Sequence, residues 1–172
     1  MKLTVTAGHG AGDPGAVEPG GVREADLMAD LRNIVALKLR NMGHEVQTDG
    51  TLLTNLPLAK ALLLVPGSDV AIELHTNSFS NPAAAGVESI ALPRQKLMAQ
   101  RISAAIARVL DIPLRGEKGW IDQSKSARGR LAFVNAGGII VEVFFLSNPG
   151  ELAKYEARKW MVASAIAEAL TA

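Results

Sequence analysis

Cysteine is absent from this chain of 172 residues, which excludes a disulfide framework, a thiolate metal site and a thiol nucleophile. Any metal chemistry is left to His, Asp and Glu, and histidine is itself scarce at three residues. Aromatics are few, with two Trp, one Tyr and four Phe, and the net charge is only +1. The chain therefore has neither the basic stripe nor the stacking platform of a nucleic-acid binder. The opening MKLTVTAGHG reads as a short strand, with no apolar run of the length a secretory signal or a membrane span needs. Its expected starting compartment is the cytoplasm, with no membrane insertion. What is present suffices for a core: 48% hydrophobic and 20% charged residues predict one compact domain over residues 1–172, expected to be a monomer. No linker, repeat or low-complexity segment interrupts it.

Periodicity orders the elements. Alternation over Lys2 to Thr6 predicts a first strand, and Leu27, Met28, Leu31, Ile34, Val35, Leu39 and Met42 predict a helix stopped at Gly43. A second strand is expected over His44 to Thr48, a short helix over Leu56 to Val65, and a buried third strand from Asp69 to His75. Gly86 to Leu92 reads as strand four, and Leu97, Met98, Ile102, Ala105, Ile106 and Val109 as a helix that stops before Pro113. Residues 111–130 are polar and read as surface loops. Leu131 to Val134 and Ile139 to Phe145 are expected to complete the sheet, before a last helix opened by Asn148, Pro149 and Glu151 as a capping box. Strands alternating with helices give an α/β class: a mostly parallel twisted sheet of about six strands with helices on both faces.

In such sheets the carboxyl ends of the strands are where functional groups gather. His9 follows strand one, His75 ends strand three, and Glu24 opens the first helix after the glycine-rich stretch TAGHGAGDPGAVEPGGVRE. Two imidazoles and one carboxylate form the ligand set of a catalytic zinc site that keeps one position for water. The plainer reading of each histidine is a satisfied polar residue at a strand end. Glu142, in GGIIVEVFFLSNPGE, is an acid inside an apolar strand, which costs several kcal/mol unless it is paired or functional. Beside a metal it suits a general base and acid; otherwise it suits an ion pair with an Arg or Lys of residues 115–130. His44, in GHEV, starts strand two at the opposite end of the sheet and reads as structural.

These residues, as GHGAGDPGA, GGVRE, IELHTNS, RGEKG and IIVEVFFLSNPGE in that order, resemble the zinc-dependent N-acetylmuramoyl-L-alanine amidases of the type 3 (AmiC-like) group nearly end to end. The resemblance implies Zn2+ held by His9, Glu24 and His75, with Glu142 as the catalytic carboxylate. The substrate it implies is peptidoglycan, cut at the amide between the lactyl group of N-acetylmuramic acid and the first L-alanine of the peptide stem. The glycines and Asp13-Pro14-Gly15 would let the loop turn tightly between two ligands, and a flexible Gly20-Gly21 would leave room for substrate. Asn77 is a candidate hydrogen-bonding partner for substrate, and Arg115 or Lys118 for a stem-peptide carboxylate. Asp13 and Glu73 are candidate supports behind the ligands. Glu73 stands where the family commonly has a small polar residue; period-two geometry sets it on the face of His75, as a support for the imidazole or as a competing acid.

With no signal or wall-binding module expected, the resemblance points to a single-domain phage endolysin. Such a protein collects in the host cytoplasm and reaches the wall once the membrane is opened. The alternatives are a zinc peptidase cutting inside the stem peptide and a catalytically silent wall-binding module. A phosphate loop over residues 8–21 is disfavoured because no Lys-Ser or Lys-Thr follows it.

Overall fold

A computed structural model describes residues 1–126 and 129–172. Its sheet is built from β1 (Lys2–Ala7), β2 (Glu45–Thr48), β3 (Val70–Asn77), β4 (Glu88–Ala91), β5 (Trp120–Asp122) and β6 (Ile139–Phe145). The strands lie in the order β2-β1-β3-β6-β4-β5. All neighbours run parallel except β4 and β6. That antiparallel pair matters for function. It brings the first residue of β4, Glu88, to the same end of the sheet as the carboxyl ends of β1 and β3, opposite Glu142.

Parallel neighbours need crossovers, and the long helices α1 (Glu24–Asn41) and α3 (Lys96–Leu110) supply them between β1 and β2 and between β4 and β5. The last helix, α5 (Pro149–Thr171), packs between α1 and α3. Their apolar stripes and the inward residues of the strands form one core, including Met28, Leu31 and Val35 of α1, Ile102 and Ile106 of α3, and Tyr155 and Ile166 of α5. Against them lie Leu3 and Val5, Ile72 and Leu74, and Val141 and Val143 of the sheet. The opposite face is covered more thinly. The one-turn helices α2 (Leu58–Ala61) and α4 (Ala132–Asn135) flank a small cluster of Val65, Ala71, Ile90, Phe133, Val134 and Ile140. Both faces do carry helix, but the long ones share one face.

The expected strand at Leu131–Val134 is instead the turn α4, with Phe133 and Val134 buried. A four-residue apolar run carries no period that separates a strand from a buried helical turn. The sixth strand comes from β5, inside the stretch expected to be loop; Trp120 is held there by its Nε1, which donates to the Ala91 carbonyl at 3.1 Å. Positions 127 and 128 of that expected loop lie outside the described residues. The capping box is half formed. Asn148 accepts from the backbone N–H of Gly150 and Glu151, at 3.0 and 3.2 Å. Glu151 does not return the bond; it is buried and accepts from the N–H of Gly86 and Phe145, at 2.7 and 2.8 Å, tying the approach to β4 to the end of β6.

Candidate metal centre

His9 leaves the end of β1 in the left-handed region, at φ 67°, and His75 lies on β3. Glu24 is the first residue of α1, where the helix dipole favours a carboxylate. One ligand atom from each of these three residues lies within 4.8 Å of the others. The Glu24 carboxylate sits between the rings: Oε1 is 3.0 Å from His75 Nδ1 and Oε2 is 3.4 Å from His9 Nε2. Ligand bonds of about 2.0–2.1 Å at tetrahedral angles set neighbouring ligand atoms about 3.3–3.4 Å apart. The two contacts of Glu24 are close to that spacing, and the three residues together lie within reach of one small divalent cation.

Each imidazole has a second carboxylate behind it. His9 Nδ1 donates to Asp13 Oδ2 at 2.8 Å, and His75 Nε2 donates to Glu73 Oε1 at 3.1 Å, which leaves His9 Nε2 and His75 Nδ1 facing Glu24. A carboxylate behind a ligand imidazole fixes its tautomer and strengthens it as a donor to metal. Glu73, open in the sequence between a support and a competing acid, meets the His75 ring at the nitrogen that does not face Glu24. The backbone N–H of Ala16 and Thr76 hold Glu24 from the other side, at 3.0 and 2.9 Å.

Charge in the cluster favours a cation. Burial pushes the Glu24 carboxyl up, but the bond from His75 and the two backbone N–H groups outweigh it and leave it below the usual range. Burial pulls His75 down, while hydrogen bonds to Glu24 and Glu73 and the charges of Glu142 and Glu73 lift it well above the ordinary imidazole value. Carboxylates thus surround His75, and a divalent cation can take the place of its proton.

Two glycines make the space. A Cβ on Gly8 would lie 2.0 Å from Cε1 of the His75 ring, and one on Gly15 would lie 2.7 Å from both Glu24 Oε2 and His9 Cδ2. At Gly21 a Cβ would meet nothing within 4 Å, so the space beside it is open. Gly20-Gly21 lies in a closed turn, with Gly21 N–H on the Glu18 carbonyl at 2.9 Å and Val22 N–H on Glu18 Oε1 at 3.2 Å.

The cluster opens into a cavity of about 1100 Å³, lined by His9, Glu24 and His75 and by Glu73, Glu88 and Glu142. Glu142 stands on β6 in register with His75 on β3, half-buried, on the same cavity wall. Arg115, one of the cations the sequence offered it, is bonded elsewhere: its Nε donates to Glu88 Oε2 at 2.6 Å and its guanidinium lies 4.8 Å from the centre of the Phe145 ring. Asn77 also donates to Glu88, at 3.1 Å. Two of the three residues expected to meet substrate, Asn77 and Arg115, are therefore engaged by Glu88, though they still line the cavity. Lys118 is exposed on the turn before β5 and does not line it. His44 stands before β2, at the far end of the sheet, 3.4 Å from the N-terminal amine.

Glu88 was missed in the sequence although it carries the mark that exposed Glu142, an acid inside an apolar strand, in GVESIAL. Arg32 was missed too. It sits on the apolar stripe of α1, between Met28 and Val35, and is fully buried against Asp49 at 3.0 Å. Burial pushes the Asp49 carboxyl up, and the Arg32 charge offsets only part of that.

Known proteins bear on this arrangement. The family model described as N-acetylmuramoyl-L-alanine amidase matches residues 3–172. Over 87 residues, 49% of this chain, there is 32% identity with the N-acetylmuramoyl-L-alanine amidase AmiA of Salmonella typhimurium. Over 86 residues there is 27% identity with the AmiC of Neisseria meningitidis. The matches span 30% and 21% of those relatives' lengths, under a third of each. A solved structure from Neisseria meningitidis, assigned as an N-acetylmuramoyl-L-alanine amidase, is 46% identical with a TM-score of 0.92, over 99% of this chain and 93% of its own. The catalytic domain of the CD27L endolysin targeting Clostridia difficile shares the fold, with 22% identity and a TM-score of 0.75 over 99% of this chain and 97% of its own.

Proposed function

We propose, for a chain that belongs to the N-acetylmuramoyl-L-alanine amidase family, that it is a zinc amidase of the bacterial cell wall. Its substrate is peptidoglycan, and the bond it hydrolyses joins the lactyl group of N-acetylmuramic acid to the L-alanine of the peptide stem. The observation that carries this reading is the convergence of His9, Glu24 and His75 on a cavity wall where Glu142 stands one strand away.

His9 Nε2, His75 Nδ1 and the Glu24 carboxylate would hold the ion, with Asp13 and Glu73 fixing the two rings. Zinc bound in such a set would supply a water acidified to a pKa of about 7 and a Lewis acid for the scissile carbonyl. Glu142 takes the proton of the attacking water and returns it to the departing alanine nitrogen. Asn77 and Arg115 build, through Glu88, the wall against which the substrate is positioned. The narrower part of the proposal is a lytic role, in which the monomer waits in the host cytoplasm and acts on the wall once the membrane is opened.

Purified peptidoglycan digested with the zinc-loaded protein tests the reaction by mass spectrometry. Intact stem peptides with a free L-alanine amine, together with glycan carrying free lactyl carboxyls, are the expected products. Amines on other stem residues would make the protein a peptidase, and binding without release would make it a wall-binding module. For the lytic role, expression in a bacterial host should leave cells intact until a membrane-permeabilising agent is added.

A further inference from the structure

Outside the ligand cluster, the segment between β2 and α2 contains a side chain that neither the sequence nor the mechanism uses. Asn55 donates through Nδ2 to the backbone carbonyls of Ala7 and His9, at 3.2 and 3.1 Å, and so spans the last residue of β1 and the ligand that follows it. Its Oδ1 accepts from Arg32 Nη1. Arg32 is in turn locked: it is fully buried, paired with Asp49, and donates to the carbonyls of Leu52 and Thr54 at 3.0 and 3.1 Å. Asp49 closes the circuit by accepting from the Ala7 N–H at 3.3 Å. The loop that carries His9 is thereby gripped on both sides of Gly8, from a pair of charges sealed beneath it.

Two further observations show that the grip is close. A Cβ on Gly10 would lie 2.6 Å from the Asn55 Cβ, so the backbone after His9 rests directly on Asn55. His9 itself holds a φ of 67°, which L residues adopt at a cost and keep only where the surroundings hold them there. In that conformation the ring places Nδ1 on Asp13 and Nε2 toward Glu24.

We infer that Asn55, anchored by the buried Arg32–Asp49 pair, is a positioning residue for the metal centre: it fixes the backbone of His9 so that Nε2 faces Glu24. This rests on the reading of His9 as a metal ligand. Asn55 meets the cluster only at the His9 backbone carbonyl, so its effect is on metal affinity through His9. Asn55→Asp keeps the shape and the acceptor for Arg32 but presents oxygen where the two carbonyls need a donor; Asn55→Ala removes the side chain without adding charge.

The test is Zn2+ affinity, measured by competition with a chromophoric chelator, alongside the Tm of the metal-free protein. The set comprises the unaltered protein, Asn55→Asp, Asn55→Ala, Thr54→Val and His9→Ala. Thr54 Oγ1 donates to the Thr51 carbonyl at 2.6 Å, so Thr54→Val loosens the same segment while leaving the side chains of Arg32 and Asn55 in place. Both Asn55 variants should weaken zinc by about 10- to 100-fold, the size expected when a support behind a ligand is lost. Thr54→Val should keep the affinity of the unaltered protein. Unchanged affinity in the Asn55 variants, or an equal loss in Thr54→Val, overturns the inference. If Asn55→Asp does not fold, Asn55→Ala decides by the same criterion. His9→Ala separates the two levels: if it retains zinc, the ligand reading fails, whereas if it loses zinc while both Asn55 variants keep it, only the positioning role fails.

Discussion

The two faces of the sheet are made by the same strands, yet they do opposite work. Toward α1, α3 and α5, successive inward positions are apolar: Ile72 and Leu74 on β3, and Ile139, Val141 and Val143 on β6. Turned the other way, the same two strands present Ala71, Glu73, His75 and Asn77, and Ile140 and Glu142. The first face is sealed by long helices and is dry; the second is apolar only at its lower part, around Ala71, Ile90, Phe133 and Ile140, and becomes acidic toward the cavity. Gathered carboxylates repel one another and cost several kcal/mol each when left unpaired in the interior. One face of the sheet supplies stability that the other gives up to hold a cation.

If that division is real, substitutions on the two faces fail in different ways. The largest effect should come from the ligands: His9→Ala or His75→Ala, like chelation of the intact protein, should abolish both bound zinc and wall hydrolysis, and added zinc should restore only the chelated sample. Metal analysis beside a turbidity assay reads both, and full activity in metal-stripped protein would remove the metal from the account. On the dry face, Ile102→Ala should lower the unfolding free energy by about 2–5 kcal/mol while turnover per folded molecule stays the same. Denaturant melts paired with kcat would show it; a lost kcat at full folding would mean that the faces are not separable. Glu73→Gln falls between the two. It should weaken zinc or activity by about 10- to 100-fold, recovered largely by excess zinc, because it acts through the His75 ring. At the far end of the sheet, His44→Ala should change stability by no more than about 0.5 kcal/mol and leave metal content intact.

The division was partly legible in the sequence. Periodicity gave α1 and α3, capping residues gave the start of α5, and period-two spacing set Glu73 on the face of His75, because these signals are local to one element. The reading failed at two short elements: Trp120–Asp122 became a strand and Leu131–Val134 a helical turn, each decided by neighbours remote in the chain. His9, Glu24, His75 and Glu142 stood out because glycine-rich turns and an acid in an apolar strand are local anomalies. Arg115 was expected to await substrate, but it lies on Glu88, 27 residues away, since sequence does not rank the partners of a surface-type cation. Asn55 carried no local mark at all, for its meaning lies in two carbonyls more than forty residues upstream.

Glu142 is where the claim about the polar face is most exposed, because the carboxylates around it are assigned to metal, to the imidazole rings or, for Glu88, to Arg115 and Asn77, while Glu142 alone is assigned to proton transfer. The direct test is the turnover of Glu142→Gln on peptidoglycan at saturating zinc, with bound metal quantified in the same sample. A positioned general acid and base contributes typically about 10²- to 10⁴-fold. The account predicts one zinc per chain, an unchanged Tm and turnover reduced at least about a hundredfold. Turnover equal to that of the unaltered protein, with zinc bound, would contradict it and return Glu142 to the role of a structural ion-pair partner.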